Sequence, residues 1–273
     1  AAPLIVKDLV VTGMAGGEFG VRGFIDAYHP DTGELAWRTY TIPGEGEFGN
    51  DTWSGDSWKT GGSATWITGA YDVDLNLIYW GTGNPGPDWN GDVRLGDNLY
   101  SDSALALNGD TGEIEWYFQF TPHDVHDWDA IQVPILADLN IDGQDQRVMM
   151  WANRNAFFYS INAADGRFLK GSPFATQTWA QGLDANGAPV RVPGMEPTYE
   201  GRRVPPPITG GTHWWAQGAG AGAKTSRRVN RIPVAVAAMT NLLMLSRAGS
   251  VPSIQRRLKP FGSFRLCLAL LQE

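Results

Sequence analysis

The sequence predicts an all-β fold, part of a β-propeller built from four-stranded blades, and three observations carry that prediction. Twelve tryptophans and 34 glycines among 273 residues, set between short apolar runs, describe many strands joined by tight turns. The segments AYHPDTGELAW (27–37) and ALNGDTGEIEW (106–116) share the pattern A-x-x-x-D-T-G-E-x-x-W, and SINAADGRFLK (160–170) keeps the glycine and the rhythm. Each copy follows an apolar stretch, VRGFIDAY, SDSALAL or NAFFYSI, so each reads as strand, tight turn, strand.

In chain order, the run LIVKDLVV leads into GMAGGEFGVRG (13–23), a glycine-rich turn that carries Glu18. Gly16 and Gly17 permit close backbone approach to something flat or charged. The segment after this turn reads as a strand, so it is not the glycine fingerprint of a dinucleotide fold, which opens a helix. In the repeat, Gly33 and Gly112 supply positive φ, Asp31 and Asp110 are placed to bond the turn's own amides, and Trp37 and Trp116 offer flat anchors for the next unit. The two clear copies lie 79 residues apart, wider than a minimal blade, so polar loops intervene: EGEFGNDTWSGDSWKTGG (45–62) and NPGPDWNGDVRLGDN (84–98). Loops on a rigid radial scaffold are where binding residues are expected.

Four loop segments carry candidate chemistry. Glu18 is the first, with a solvent-facing turn residue as its alternative. Trp66 in GGSATW is either core or a stacking floor for a planar ligand. Asn84 ends a strand before a proline; its amide oxygen suits a hard cation, and a plain Asn turn competes. The fourth is TPHDVHDWDA (121–130). Asp127 and Asp129 lie two apart and in an extended segment face one side, where two carboxylates repel unless a cation or a shared proton compensates. His123 and His126 read as loop-ordering groups, because H-x-x-H here has no zinc-site context. Arg154, between two strand-like runs, is a fixed cation beside those carboxylates if it points inward.

The net charge of −8 argues against a nucleic-acid surface, and no apolar run is long enough for a transmembrane segment. The N-terminal residues AAPLIVKDLVV have no leader of secretory type, and the single Cys267 excludes an intrachain disulfide framework. From 216 to 273 the character changes: nine Lys or Arg face Glu273 alone, so this tail carries +8 and residues 1–215 carry −16. The tail has no tryptophan and none of the repeat, and it is expected to be non-homologous or out-of-frame sequence.

Taken together, GGEFGVRGFIDAYHPDTGELAW, GDSWKTGGSATW, LIYWGTGNPGPDWNGD, TPHDVHDWDA and NRNAFFYSI resemble the quinoprotein (PQQ-dependent) methanol and ethanol dehydrogenases across roughly residues 5–215. The resemblance implies an eight-bladed parent propeller with tryptophan docking motifs, of which this chain holds part. It places metal ligands on Glu18, Asn84, Asp127 and Asp129. Trp66 falls beneath the quinone, with the 18-residue interval to Asn84 matching the family. Gly16 and Gly17 fall in the turn beside the quinone, where Ala15 replaces a common serine. Arg154 falls on the residue that contacts the quinone oxygens, and His213 on a position commonly held by an asparagine that helps hold the cofactor.

The implied reaction is oxidation of a primary alcohol to an aldehyde: Asp127 takes the hydroxyl proton and a hydride passes to PQQ. Asp129 resembles the extra aspartate of lanthanide-dependent members, so a lanthanide is expected, with calcium as the alternative. A c-type cytochrome acceptor and a periplasmic location are implied by family habit. The alternative function is a non-catalytic propeller fragment or assembly scaffold.

Overall fold

The structure is a computed structural model that describes residues 2–214. The basic tail and its boundary after residue 215 lie outside the described residues.

Three four-stranded antiparallel sheets form, each a meander in sequence order. The first contains β1 (Leu4–Val6), β2 (Leu9–Gly13), β3 (Phe24–Tyr28) and β4 (Leu35–Tyr40). The second contains β5 (Ala70–Asp72), β6 (Leu77–Gly81), β7 (Ser103–Asn108) and β8 (Ile114–Gln119). The third contains β9 (Ile135–Ile141), β10 (Gln144–Ala152), β11 (Phe157–Asn162) and β12 (Phe168–Pro173). A hairpin of β13 (Ala180–Leu183) and β14 (Pro189–Arg191) follows. These are propeller blades, and the described residues do not close a ring.

The repeat is reproduced in the backbone. Ala27 pairs with Trp37, Ala106 with Trp116 and Ser160 with Lys170, and each pairing is followed at once by a bulge. Gly33, Gly112 and Gly166 turn the chain at φ 73°, 72° and 73°. The expected role of Asp110 is corrected: the amides of Asp110 and Thr111 are taken by Asn108 Oδ1 at 3.0 and 3.3 Å. An Asx turn needs its acceptor two residues before the amide it caps, and Asn108 holds that place. Asp110 instead reaches Lys7 Nζ at 2.6 Å and Asn76 Nδ2 at 2.8 Å.

The tryptophans dock one blade on the next. A Cβ built on Gly112 would lie 2.4 Å from the Trp37 ring, and one on Gly166 would lie 2.7 Å from the Trp116 ring. Only a residue without a side chain lets the indole lie flat on the turn. Trp116 Nε1 also donates to Ala163 O at 3.2 Å, which satisfies the indole where it is buried. Around the first indole, Val6, Val11, Ile25 and Ala27 pack on Ile78, Trp80, Leu105 and Leu107. Around the second, Tyr79, Ala106 and Phe118 meet Met149, Trp151, Phe157 and Tyr159. In the third copy Lys170 stands in the tryptophan's register, and Phe168 covers Gly187 of the following hairpin instead.

The meander also decides where the site lies. Strand direction alternates, so the tight repeat turns collect at one end of the blades. The connections β2–β3, β4–β5, β6–β7, β8–β9 and β10–β11 collect at the other. Glu18, Trp66, Asn84, the Asp127–Asp129 pair and Arg154 each occupy a different one of those five connections.

Candidate active site

The first three of these connections are stitched together by backbone. Gly62 bridges both Arg22 in the first loop and Pro85 in the third. Gly62 N–H donates to Val21 O at 2.9 Å, Ser63 N–H to Asn84 O at 3.0 Å and Gly83 N–H to Ala64 O at 2.7 Å. The Trp66 segment is thus a strap between the Glu18 turn and the Asn84 loop. Gly17 packs against Ala64 and Gly62, which brings the Gly16–Gly17–Glu18 turn onto that strap. Glu18 itself is exposed and lines an open cleft of about 520 Å³ with Asp88, Trp89 and Asn90.

Asn84 is buried and held at both ends. Its side-chain Nδ2 donates to Asp88 Oδ1 at 2.8 Å, which turns its amide oxygen to the opposite side, and its backbone N–H donates to Asp129 Oδ1 at 3.0 Å. Gly83 makes the second bond possible: a Cβ there would lie 2.6 Å from the Asp129 carboxylate.

Asp129 and Arg154 form the buried centre, 6 % and 4 % exposed, with Arg154 Nη1 donating to Asp129 Oδ2 at 2.6 Å. The same nitrogen lies 3.9 Å from Asp127 Oδ1. One guanidinium therefore serves two carboxylates. Arg154 is fixed from behind: its Nη2 donates to Ile208 O, and Gly211 N–H donates to Arg154 O at 2.8 Å. Gly210 lies against the Arg154 Cβ with φ 72°, so the Gly210–Gly211 segment closes over this arginine. His213 is close enough that, after burial, the Arg154 charge is the second cause lowering its pKa.

The expectation that Asp127 and Asp129 face one way because the segment is extended is corrected. No strand runs through 121–130, and Asp127 adopts a left-handed φ of 60°. The buried Asp124 makes this turn: its Oδ1 accepts the His126 N–H at 2.9 Å and its Oδ2 the Trp128 N–H at 2.7 Å, straddling Asp127. The two carboxylates reach Arg154 through that turn. His126 stacks on Trp128 of its own loop with ring centroids 4.2 Å apart, and His123 Nδ1 meets Gly96 O of the neighbouring loop at 2.7 Å.

The electrostatics are those of a site short of positive charge. Burial, then the neighbouring Asp129, pushes the Asp127 carboxyl up to about 8. Burial also holds Asp129 above the ordinary carboxylate range, opposed by Arg154, the Asn84 N–H and a hydrogen bond from Trp66. That last contact puts half-buried Trp66 beside the acid pair. Asp102, fully buried with neither carboxylate oxygen hydrogen-bonded among the described residues, is raised by burial and then by Asp124, Asp129 and Asp127. Asp88, Arg94, Asp102 and Asp124 escaped the sequence reading. Asp102 alone left a signal, as an isolated acid in the apolar run SDSALAL.

The residues fit a hard cation and an anionic, oxygen-rich planar ligand in their chemistry. The donors are amide and carboxylate oxygens, their charge is under-compensated, and Arg154 Nε is buried without a hydrogen-bond partner among the described residues. Among the described residues no three His, Cys, Asp or Glu side chains gather as a ready-made cage.

Blades with tryptophan docking and a carboxylate–arginine centre on one set of loops define a propeller of the quinoprotein kind. Residues 1–172 match the family described as PQQ, glucose/ethanol/alcohol dehydrogenase, beta-propeller domain, and the chain belongs to that family. It is 44 % identical over 239 residues to the quinoprotein alcohol dehydrogenase PedH of Pseudomonas putida, which covers 78 % of this chain and 40 % of that protein. It is 37 % identical over 212 residues to a lanthanide-dependent methanol dehydrogenase of Methylacidiphilum fumariolicum, covering 70 % of this chain and 34 % of that one. A solved europium-containing methanol dehydrogenase superposes with a TM-score of 0.75 at 34 % identity, over 80 % of this chain and 41 % of that chain. The chain therefore spans well under half the length of these relatives. Among the described residues no helix is long and apolar enough to cross a membrane.

Proposed function

We propose that this chain carries the metal- and quinone-facing part of a PQQ-dependent alcohol dehydrogenase that oxidises a primary alcohol to an aldehyde. The observation that carries the reading is the meeting of Asn84, Asp127, Asp129 and Arg154, from three separate connections, around one guanidinium. Asp127 is the general base. It is the half-buried member of the pair, at 23 % side-chain exposure, and the only one not committed to a short hydrogen bond with Arg154. Asn84, Asp127 and Asp129, with the exposed Glu18 completing the set from the neighbouring turn, would hold a hard cation, whose positive charge would lower the Asp127 pKa and favour its ionised, proton-accepting form. Arg154 faces developing negative charge on an oxygen, and Trp66 offers its ring as the floor that sets a planar cofactor's tilt. PQQ, when bound, supplies the two-electron acceptor for the hydride from the alcohol carbon.

Asp129 supports a lanthanide over calcium, because a trivalent ion gains more from an added anionic ligand; the lanthanide-dependent relative agrees. A relative named methanol dehydrogenase (cytochrome c) subunit 1 supports a c-type cytochrome as electron acceptor, and with it a periplasmic setting. The second reading is a non-catalytic propeller fragment or assembly scaffold, which needs the docked blades alone.

Titration of the protein with PQQ, with calcium and separately with a light lanthanide, tests the first reading through quinone absorbance and tryptophan quenching. Saturable binding that is tighter with the lanthanide is the expected result. No binding with either metal leaves the second reading standing.

A further inference from the structure

We propose that Arg94 is a positioning residue for this site, a clamp that sets the Asn84 loop and the Asp127 loop at a fixed separation. The inference rests on the reading that Asn84 and Asp127 act together.

Arg94 is 0 % exposed and sits in the acid-rich loop between β6 and β7, yet it forms no ion pair among the described residues. All its bonds go to uncharged oxygens. Nε and Nη2 both donate to Pro87 O at 3.2 Å, and Nη2 donates to Asp88 O at 3.0 Å. Nη2 also donates to Asp124 O at 2.6 Å, and Nη1 donates to Asn98 Oδ1 at 2.9 Å.

These partners are placed to matter. Asp88 is the residue whose carboxylate orients the Asn84 amide, and Asp124 is the residue whose carboxylate builds the turn that presents Asp127. One rigid guanidinium thus joins the backbones of the two orienting residues. Asn98 fixes the clamp in turn, its Nδ2 donating to Arg94 O at 2.7 Å and to Thr52 O at 3.3 Å. A buried cation spent on carbonyls is costly unless the geometry it imposes is needed. A planar fork of five donors spans these acceptors at once, and the compact lysine ammonium does not.

The test uses Arg94→Lys and Arg94→Gln in the full chain, with two readouts. The first is amide exchange in the protein without added ligands. Protection at the His126 and Trp128 amides is expected to fall about tenfold or more, the change that loss of one charge-assisted bond produces, while Trp151 and Tyr159 amides in blade three hold theirs. The second is terbium(III) binding read by tryptophan-sensitised luminescence, with affinity expected to weaken about tenfold in both variants. Loop protection within about twofold of the parent overturns the clamp, and so does equal loss of protection in loop and blade in both variants. Changed exchange with unchanged terbium affinity overturns its service to the site. A parent chain that binds no terbium counts against the cation-binding reading of Asn84 and Asp127, and the exchange data then decide the clamp alone.

Discussion

Asp72 and Asp127 each face an arginine from the end of a strand or loop, and they come to rest on opposite sides of the ordinary carboxylate range. Asp72 is 2 % exposed at the end of β5; its Oδ2 accepts Arg147 Nε at 2.7 Å and its Oδ1 accepts the Asp74 and Leu75 amides at 3.0 and 3.2 Å. Burial alone would raise its pKa, but Arg147 and those two amides outweigh it and the net shift is downward. Asp127 has a share in an arginine 3.9 Å away that is already committed to Asp129, and burial raises it to about 8. The first arrangement is complete and joins blade two to blade three. The second is left short of a cation. Satisfied burial marks structure here, and incomplete compensation marks the site.

The comparison can be broken at several points. The largest effect is expected from Asp127→Ala, which should lower dye-linked alcohol oxidation by about 10²–10⁴-fold while PQQ still quenches tryptophan fluorescence. Retained turnover would show that the base lies elsewhere. Arg147→Met leaves buried Asp72 with only the Asp74 and Leu75 amides, and should cost about 1–3 kcal/mol in urea melts at neutral pH. Because the Asp72 pKa is lowered, the pair's contribution is present above the usual carboxylate pKa and is lost as pH falls through the Asp72 value. The deficit should therefore shrink in acid; a deficit independent of pH would assign it to packing.

Asp102→Asn tests the opposite sign. The raised pKa means that wild-type stability from the neutral acid is full below the unfolded pKa and lost as pH rises towards the folded one. Asparagine removes that loss, and a gain of about 1–3 kcal/mol is expected at pH 7 with little or none near pH 4. An equal effect at both pH values would break the assignment. The smallest contrast is between Gly112→Ala and Gly33→Ala. Both glycines have positive φ, but nothing lies within 4 Å of a Cβ at Gly33, while Trp37 lies at 2.4 Å from one at Gly112. Gly33→Ala should cost about 1 kcal/mol and Gly112→Ala at least about 1 kcal/mol more, read as the difference in melting free energy.

Much of the fold was legible because its signals are local. The D-T-G turns need glycine for backbone reasons, and Trp37 and Trp116 recur at one offset from them, so blade, turn and docking anchor all show in the string. The third docking contact was not legible. Phe168 takes over from the missing tryptophan two residues earlier in the copy, and only packing against Gly187 reveals it. The residue types of the site could be read from the loops, and the alternation of the meander explains why the five loops meet at one end. The geometry of the acid pair was not legible. An extended segment and a left-handed turn at Asp127 bring the same two residues towards Arg154 by different paths.

By itself the sequence determined the strand-and-turn rhythm, the docking tryptophans, the family and the loop residues that are candidates for the site. These depend on backbone preferences and side-chain types within a few residues. Only the tertiary structure decided how charge is shared. Arg154 goes to Asp129 before Asp127, Asp102 is buried without a hydrogen-bond partner among the described residues, and Arg94 is spent on carbonyls that hold two loops together. Those outcomes depend on distances and burial between segments far apart in the chain. Electrostatic energy follows separation and local dielectric, and neither is written in residue order.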